Sequence, residues 1–343
     1  MRVVVTGATG NVGTSVLPAL AADDRVTSIV GVARRLPSSS SWTPKVEWIS
    51  ADVAVDPLEP IVSGADAVIH LSWLIQPSRD VRAMWATNVV GTRRVADAVA
   101  RTGTAVLVAA SSIGAYSPAP RGLTVDESWP TDGTPESSYS WQKALEERTL
   151  DLLESRHPEC RVVRVRPALI FKREAARHVR NLFLGSLVPR RLLPVDAALA
   201  AVMRLPIAFQ VVHADDVARA IVRAVMSDAR GAFNLAAPGV IGRASDAGDQ
   251  LARLAKPLVG AAWRARLVPV DPGWLTLAAS VPLMSTDRAR DELSWTPTMG
   301  AKAVVRELLE GLHDDAAAPT PPLAEQRLDD DATTEPAVLT TAM

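Results

Sequence analysis

Short apolar runs recur along the chain at the spacing a parallel sheet requires. Val3-Val4-Val5, Ser28–Ala33, Val46–Ser50, Ala67–Leu71, Ala105–Ala110 and Arg161–Val165 each read as a strand. Helical patterns fall between them over Val12–Ala22, Asp80–Thr102 and Ser137–Arg156. The second of these sets Val81, Met84, Trp85, Val89, Val95 and Val99 at the spacing of one helix face. Strands alternating with helices of this length predict an α/β fold with a doubly wound parallel sheet, helices covering both of its faces. Ligands of such sheets gather at the carboxyl ends of the strands. The residues just after Leu71, Ala110 and Val165 are therefore candidates before their chemistry is considered.

The first strand runs directly into Thr6-Gly7-Ala8-Thr9-Gly10-Asn11-Val12-Gly13 and then into a helix. Strand, glycine turn and helix start come in the order that binds a dinucleotide pyrophosphate, as in a Rossmann-type fold. Gly7 permits the sharp turn, Gly10 removes a side chain where backbone must approach phosphate, and Gly13 allows close helix–strand packing. Thr9, Asn11 and Val12 lie on the same turn. The second strand ends Val32-Ala33-Arg34-Arg35, with no carboxylate where one would hold a ribose 2′-hydroxyl. Asp23 and Asp24 fall before that strand. Arg34 and Arg35 can instead meet a 2′-phosphate, so NADP is expected to be modestly preferred over NAD.

Chain length and a hydrophobic fraction of 48% allow a large core, with a cofactor-binding part over 1–166, helped by about 205–236, and a smaller substrate lobe over 167–312. A net charge of −1 gives no reason to expect nucleic acid. No apolar stretch is long enough to cross a bilayer and the first run lacks the flanks of a signal peptide, so no membrane partner and a cytoplasmic location are expected. Cys160 is the only cysteine and the five histidines are scattered, so the spacing predicts no metal site and suits a reducing compartment. Residues 313–343 hold seven acidic side chains against Arg327 alone. They lack periodic apolar positions, and the segment reads as a disordered acidic tail outside the site.

Two tyrosines occur in the chain, Tyr116 and Tyr139. Tyr139 and Lys143 are four apart at the start of a helix, on one face, where an ammonium can pull a phenol down from about 10 so that it exchanges protons with a substrate oxygen. Ser111-Ser112 follows the fifth strand at the same sheet edge.

These motifs together resemble the extended short-chain dehydrogenase/reductases, often labelled NAD-dependent epimerase/dehydratases, over about residues 1–312. Asp52-Val53 resembles the family's adenine-binding position, His70-Leu71-Ser72 its fourth-strand end, Asn88-Val89-Val90-Gly91-Thr92 its central-helix motif and Arg166-Pro167 its segment beside the nicotinamide. Val212-His213-Ala214-Asp215-Asp216-Val217-Ala218 and Leu293-Ser294-Trp295-Thr296-Pro297 resemble later signatures. The resemblance assigns Tyr139 as general acid/base, Lys143 as its pKa modifier and ribose ligand, and Ser112, four residues before Tyr116, as partner of the substrate oxygen. Leu71, Ser72, Asn88 and Pro167 join the implied cofactor site. It also implies a possible homodimer through Asp80–Thr102 and Ser137–Arg156.

Departures from the family pattern bear on the substrate. Ser117 follows Tyr116 where Gly is frequent, Phe171-Lys172 replaces a Tyr-Gly, and Met203–Gln210 is apolar where nucleotide-sugar enzymes carry a glycine-rich hairpin and an arginine. The expected reaction is hydride transfer between NAD(P) and a carbinol or carbonyl carbon of a small, non-nucleotide molecule. Two alternatives stand beside it: a sugar epimerase or dehydratase with an internal hydride shuttle, and a non-catalytic dinucleotide-sensing regulator. The basic stretch Lys172, Arg173, Arg177, His178, Arg180, Arg190 and Arg191 reads either as a solvated helix face or as a site for an anionic substrate group. His70 and His213 read as cofactor contact or structural group, and as helix cap, respectively.

Overall fold

The computed structural model describes residues 1–37, 44–75, 79–183, 194–269 and 271–324. Arg190, Arg191 and the chain beyond 324 lie outside them. The central sheet has seven strands: β1 (Arg2–Thr6), β2 (Ser28–Ala33), β3 (Val46–Ser50), β4 (Ala67–His70), β5 (Val106–Ala110), β7 (Arg161–Pro167) and β10 (Gly231–Leu235). Among the described residues two pairs of short strands follow, β6 (Thr124–Val125) with β11 (Leu283–Met284) and β8 (Leu169–Phe171) with β9 (Val211–His213). The order β10-β7-β5-β4-β1-β2-β3 is parallel throughout. The direction of winding reverses between β1 and β4, which opens the crevice in which such sheets bind nucleotides.

Helices α1 (Gly13–Ala21) and α8 (Ala214–Met226) pack together on one face of the sheet, while α2 (Glu59–Val62), α4 (Thr92–Thr102) and α5 (Ser138–Arg156) cover the other. Because side chains alternate along a strand, Val3, Val5, Ile69, Val108, Val163 and Val165 feed the first core. Val4, Val30, Val68, Leu107 and Val162 feed the second. Outside the sheet, α6 (Ala176–Phe183), α7 (Val195–Val202), α9 (Asp246–Arg264), α10 (Gly273–Ser280), α11 (Asp287–Leu293) and α12 (Ala301–His313) follow. Leu199, Val211, Ile241 and Val304 form a smaller apolar cluster among them.

The helix expected over Asp80–Thr102 is interrupted. It consists of α3 (Val81–Trp85), a π turn over Ala86–Gly91, and α4. Asn88 sits on the π turn, fully buried, and Gly91 follows at a point where a Cβ would lie 2.7 Å from Val53 Cγ2. The hydrophobic period continued through the segment and carried no mark of the extra residue.

Disorder from residue 313 onward does not hold for the described part of that segment. Leu323 is 1% exposed and Thr320 is buried. Arg177 pairs with Asp315 at 2.7 Å, Arg180 with Asp315 at 3.4 Å, and Arg173 with Asp314. The partners of these acids lie some 140 residues earlier, where a local reading of composition does not reach. Among the described residues no helix is long and apolar enough to cross a membrane.

Candidate functional site

The glycine turn is shaped by contacts no other residue allows. Gly7 has φ +71°, and a Cβ there would lie 2.7 Å from the backbone carbon of Leu71 and the nitrogen of Ser72. The end of β4 therefore rests directly on the turn. A Cβ on Gly13 would lie 2.5 Å from the carbonyl oxygens of Gly7 and Ala8, so the first turn of α1 is seated on the loop as expected. Gly10 is less crowded, its nearest atom being the Gly7 oxygen at 3.3 Å. Thr9 is buried, Asn11 donates through Nδ2 to the Ile170 carbonyl at 3.2 Å, and Val12 occupies the cap position of α1. The first turn of α1 carries no acidic residue and no side-chain cap, so its dipole faces outward uncompensated.

Arg34 and Arg35 stand exposed at the carboxyl end of β2. Asp52 Oδ1 accepts from the Ala54 N–H at 2.9 Å and so caps its own turn, while Val53 is buried beneath the π turn. Asn88 clamps two elements together. Its Oδ1 accepts from Leu74 N at 2.7 Å, and its Nδ2 donates to the Leu74 carbonyl at 2.8 Å and to Gln142 Oε1 at 2.7 Å. It holds the loop after β4, with Leu71 and Ser72, against α5. Pro167 ends β7 and pairs with Leu235.

His70 is a structural group. Its ring spans Thr6 Oγ1 at 2.8 Å and Thr92 Oγ1 at 3.0 Å, and burial together with the Lys143 charge brings its pKa down to about 3. His213 caps α8 by accepting from Asp215 N at 3.2 Å and meets Glu307 at 3.2 Å.

Ser112, Tyr139 and Lys143 are brought together at the end of β5 and the start of α5. Ser112 Oγ accepts from Gly114 N at 2.9 Å, and its hydroxyl bonds to the Tyr139 phenol. Tyr139 is half-buried in an aromatic enclosure: Trp274 lies over its ring at 4.8 Å, Trp73 meets it edge-on at 6.0 Å, and Phe183 backs Trp274 at 5.1 Å. Burial pushes the phenol up to about 12, against the opposing pull of Ser112 and with a further push from Glu146.

That direction corrects the expectation for Lys143. Its Nζ donates to the Ala110 carbonyl at 2.6 Å and to Glu146 Oε2 at 2.7 Å, and lies 3.4 Å from the centre of the Trp73 ring. The ammonium is spent on a buried carboxylate three residues along the helix, and does not lower the phenol. Burial lowers the Lys143 pKa despite Glu146, and raises that of Glu146 despite Lys143.

Beneath this lies a charged layer that the sequence pattern did not bring out. Arg166 forks onto both oxygens of Glu147 at 2.9 Å, Ser111 donates to Glu147 at 2.6 Å, and Arg164 reaches Glu147, Asp151 and Glu154. Burial would raise Glu147, but these partners outweigh it and hold the carboxyl below its usual range. Arg166 also donates to the hydroxyl of the fully buried Tyr116 at 3.1 Å, which in turn donates to Asn234 Oδ1 at 2.7 Å. Tyr116 is thus locked into the scaffold. The strand alternation Arg164-Val165-Arg166 and the pair Glu146-Glu147 were the available signals. Both place charges on the face that α5 buries.

A seven-stranded parallel sheet, a glycine turn facing the winding reversal and a Ser–Tyr–Lys cluster at the sheet edge form the arrangement that the sequence resemblance implied. Residues 3–236 match the sequence model of the NAD dependent epimerase/dehydratase family, and the chain belongs to it. Uncharacterized protein Rv2047c of Mycobacterium tuberculosis (strain ATCC 25618 / H37Rv) is 29% identical over 310 residues, which cover 90% of this chain. The chain spans only 29% of that relative's length. Among solved structures, MoeE5 in complex with UDP-glucose and NAD superposes with a TM-score of 0.65 at 19% identity, over 92% of this chain and 99% of that one. The UDP-glucuronic acid 4-epimerase from Bacillus cereus in complex with NAD gives 0.65 at 14%, over 92% and 99%. A short-chain dehydrogenase/reductase superfamily protein from Agrobacterium tumefaciens with bound NAD gives 0.65 at 22%, over 92% and 98%. These likenesses establish the fold.

Proposed function

We propose that the protein transfers hydride between a nicotinamide dinucleotide and the carbonyl or carbinol carbon of a small, largely apolar molecule. The observation that carries this reading is the packing of the Tyr139 ring against Trp73 and Trp274. A sugar diphosphate needs cations, yet Arg177 and Arg180 of the basic stretch are engaged by Asp315, and Arg173 by Asp314.

The turn Gly7–Gly13 and the first turn of α1 suit the pyrophosphate, Leu71, Ser72 and Pro167 border the nicotinamide side, and Asp52-Val53 the adenine side. The bound dinucleotide would supply or accept the hydride. The protein's own contribution is positional and protic. Ser112 and Tyr139 converge on one substrate oxygen, and a phenol held near 12 enters the reaction as a neutral acid. In the reducing direction its O–H bond breaks as the new O–H forms on substrate, leaving a phenolate for Lys143 to stabilise once the ammonium is drawn from Glu146. Exposed Arg34 and Arg35, with no nearby carboxylate on the strand end, favour NADP over NAD.

The test is turnover across small ketones, aldehydes and secondary alcohols with each cofactor, beside calorimetry with UDP- and dTDP-sugars. Turnover of an apolar carbonyl is expected, with tighter binding of NADPH that Arg34→Ala/Arg35→Ala removes. Micromolar binding of a nucleotide sugar without such turnover would replace this reading with the epimerase one.

A further inference from the structure

Lys172 follows β8 and is 6% exposed. Its Nζ donates to Thr14 Oγ1 at 2.6 Å and Ser15 Oγ at 3.1 Å, both in the first turn of α1. Among the described residues no carboxylate lies within ion-pair distance of it. Asp215 and Glu174 act on it only from farther away, and burial keeps its pKa below the usual range of an ammonium. A buried cation whose acceptors are two hydroxyls is costly, because hydroxyl dipoles replace only part of the lost hydration.

A second feature on the same turn shares this deficit: the helix dipole behind it meets no acidic residue in the first turn. Positive charge and partial charge are thus stacked behind the glycine turn, with no anion of the protein to receive them. Thr14 hydroxyl, bonded to the carbonyls of Gly10 and Asn11 at 3.0 and 3.1 Å, links the ammonium to the turn itself.

We propose that Lys172 is a built-in counter-charge for the pyrophosphate of the dinucleotide, a positioning residue that acts through Thr14 and the back of the glycine turn. The ligand completes a charge balance that the free protein leaves open. This rests on the dinucleotide reading of the site. It differs from the usual glycine-turn mechanism in assigning part of the affinity to a side chain just after β8, 158 residues from Thr14 in sequence.

The test compares the full chain with Lys172→Met and Lys172→Arg. Dissociation constants for NAD, NADP and ADP-ribose are measured by calorimetry at two salt concentrations, with adenosine as a probe lacking the pyrophosphate, and the melting temperature of the free protein is recorded. Lys172→Met is expected to weaken NAD, NADP and ADP-ribose at least tenfold, to flatten the salt dependence and to leave adenosine unchanged. The free protein should melt at the same temperature or higher, and Lys172→Arg should retain most of the affinity. A free protein that melts markedly lower or fails to fold would show Lys172 to be structural and overturn the proposal. Equal affinities in wild type and Lys172→Met would overturn it as well. Failure of the wild type to bind any of the three would instead refute the dinucleotide reading.

Discussion

Replacing Tyr116 by Phe leaves Tyr139 as the only tyrosine in the chain, so near-ultraviolet tyrosinate absorbance then reports one phenol. The replacement removes hydrogen bonds to Asn234 and Arg166 and should cost roughly 1–3 kcal/mol, within the reach of a domain this large. Tyr139 should ionise near 12, above a free phenol, because burial favours the neutral form. Glu146→Gln should bring it down. The two groups are seven positions apart on the helix, roughly 10 Å along the axis. Unit charges at that distance in an effective dielectric of about 20 interact by about 1.7 kcal/mol, or about 1.2 pKa units. Deleting the anion favours the phenolate. Stopped-flow pH jumps read the phenolate before alkaline unfolding sets in. A Glu146→Gln phenol that ionises within about 0.3 units of the parent would refute the view that this carboxylate controls the acid.

Tyr139→Phe should lower kcat at least a hundredfold while leaving cofactor affinity near normal, since it deletes the transferable proton and keeps the ring between Trp73 and Trp274; retention of more than about a tenth of the activity would reject the assignment. His70 stays neutral in the folded chain down to about pH 3, whereas the unfolded ring protonates near 6.5. Stability contributed by the neutral ring is present above about 6.5 and falls by up to roughly 1.4 kcal/mol per unit as pH drops toward 3. Denaturant titrations of His70→Gln should lose that component of the acid slope, and identical slopes would contradict it. Truncation after His313 should lower the melting temperature by several degrees, because it exposes the site of Leu323 and strips Arg177 and Arg180 of Asp315; an unchanged midpoint, with a chain ending at Ala324 as control, would show the contacts to be idle.

The strands and the glycine turn were legible because their determinants are local: a run of Val and Ile in each strand, and three glycines whose absent side chains face backbone. The pairing of Tyr139 with Lys143 was legible as spacing, but its electrostatics were not. A helical reading weighs i and i+4 neighbours and counts charged residues as solvated, so it passed over Glu146 one turn beyond Lys143. Burial of α5 against the arginine-bearing face of β7 turned Glu146 and Glu147 into interior groups. The same limit hid Lys172, whose partners lie 158 and 157 residues earlier, and the pairing of Arg177 with Asp315 138 residues later.

The π turn over Ala86–Gly91 ties the site's geometry to the exact length of its helix. An α-helix advances about 100° per residue, so one residue removed from this turn would restore regular winding and swing everything before it by nearly a third of a revolution. Trp85 would leave Trp141, and Asn88 could no longer reach both Leu74 and Gln142. The loop carrying Leu71 and Ser72 would then lose its tether to the helix that bears Tyr139. Substitutions around the cleft can tune what it accepts, but a single-codon deletion here would uncouple its two walls.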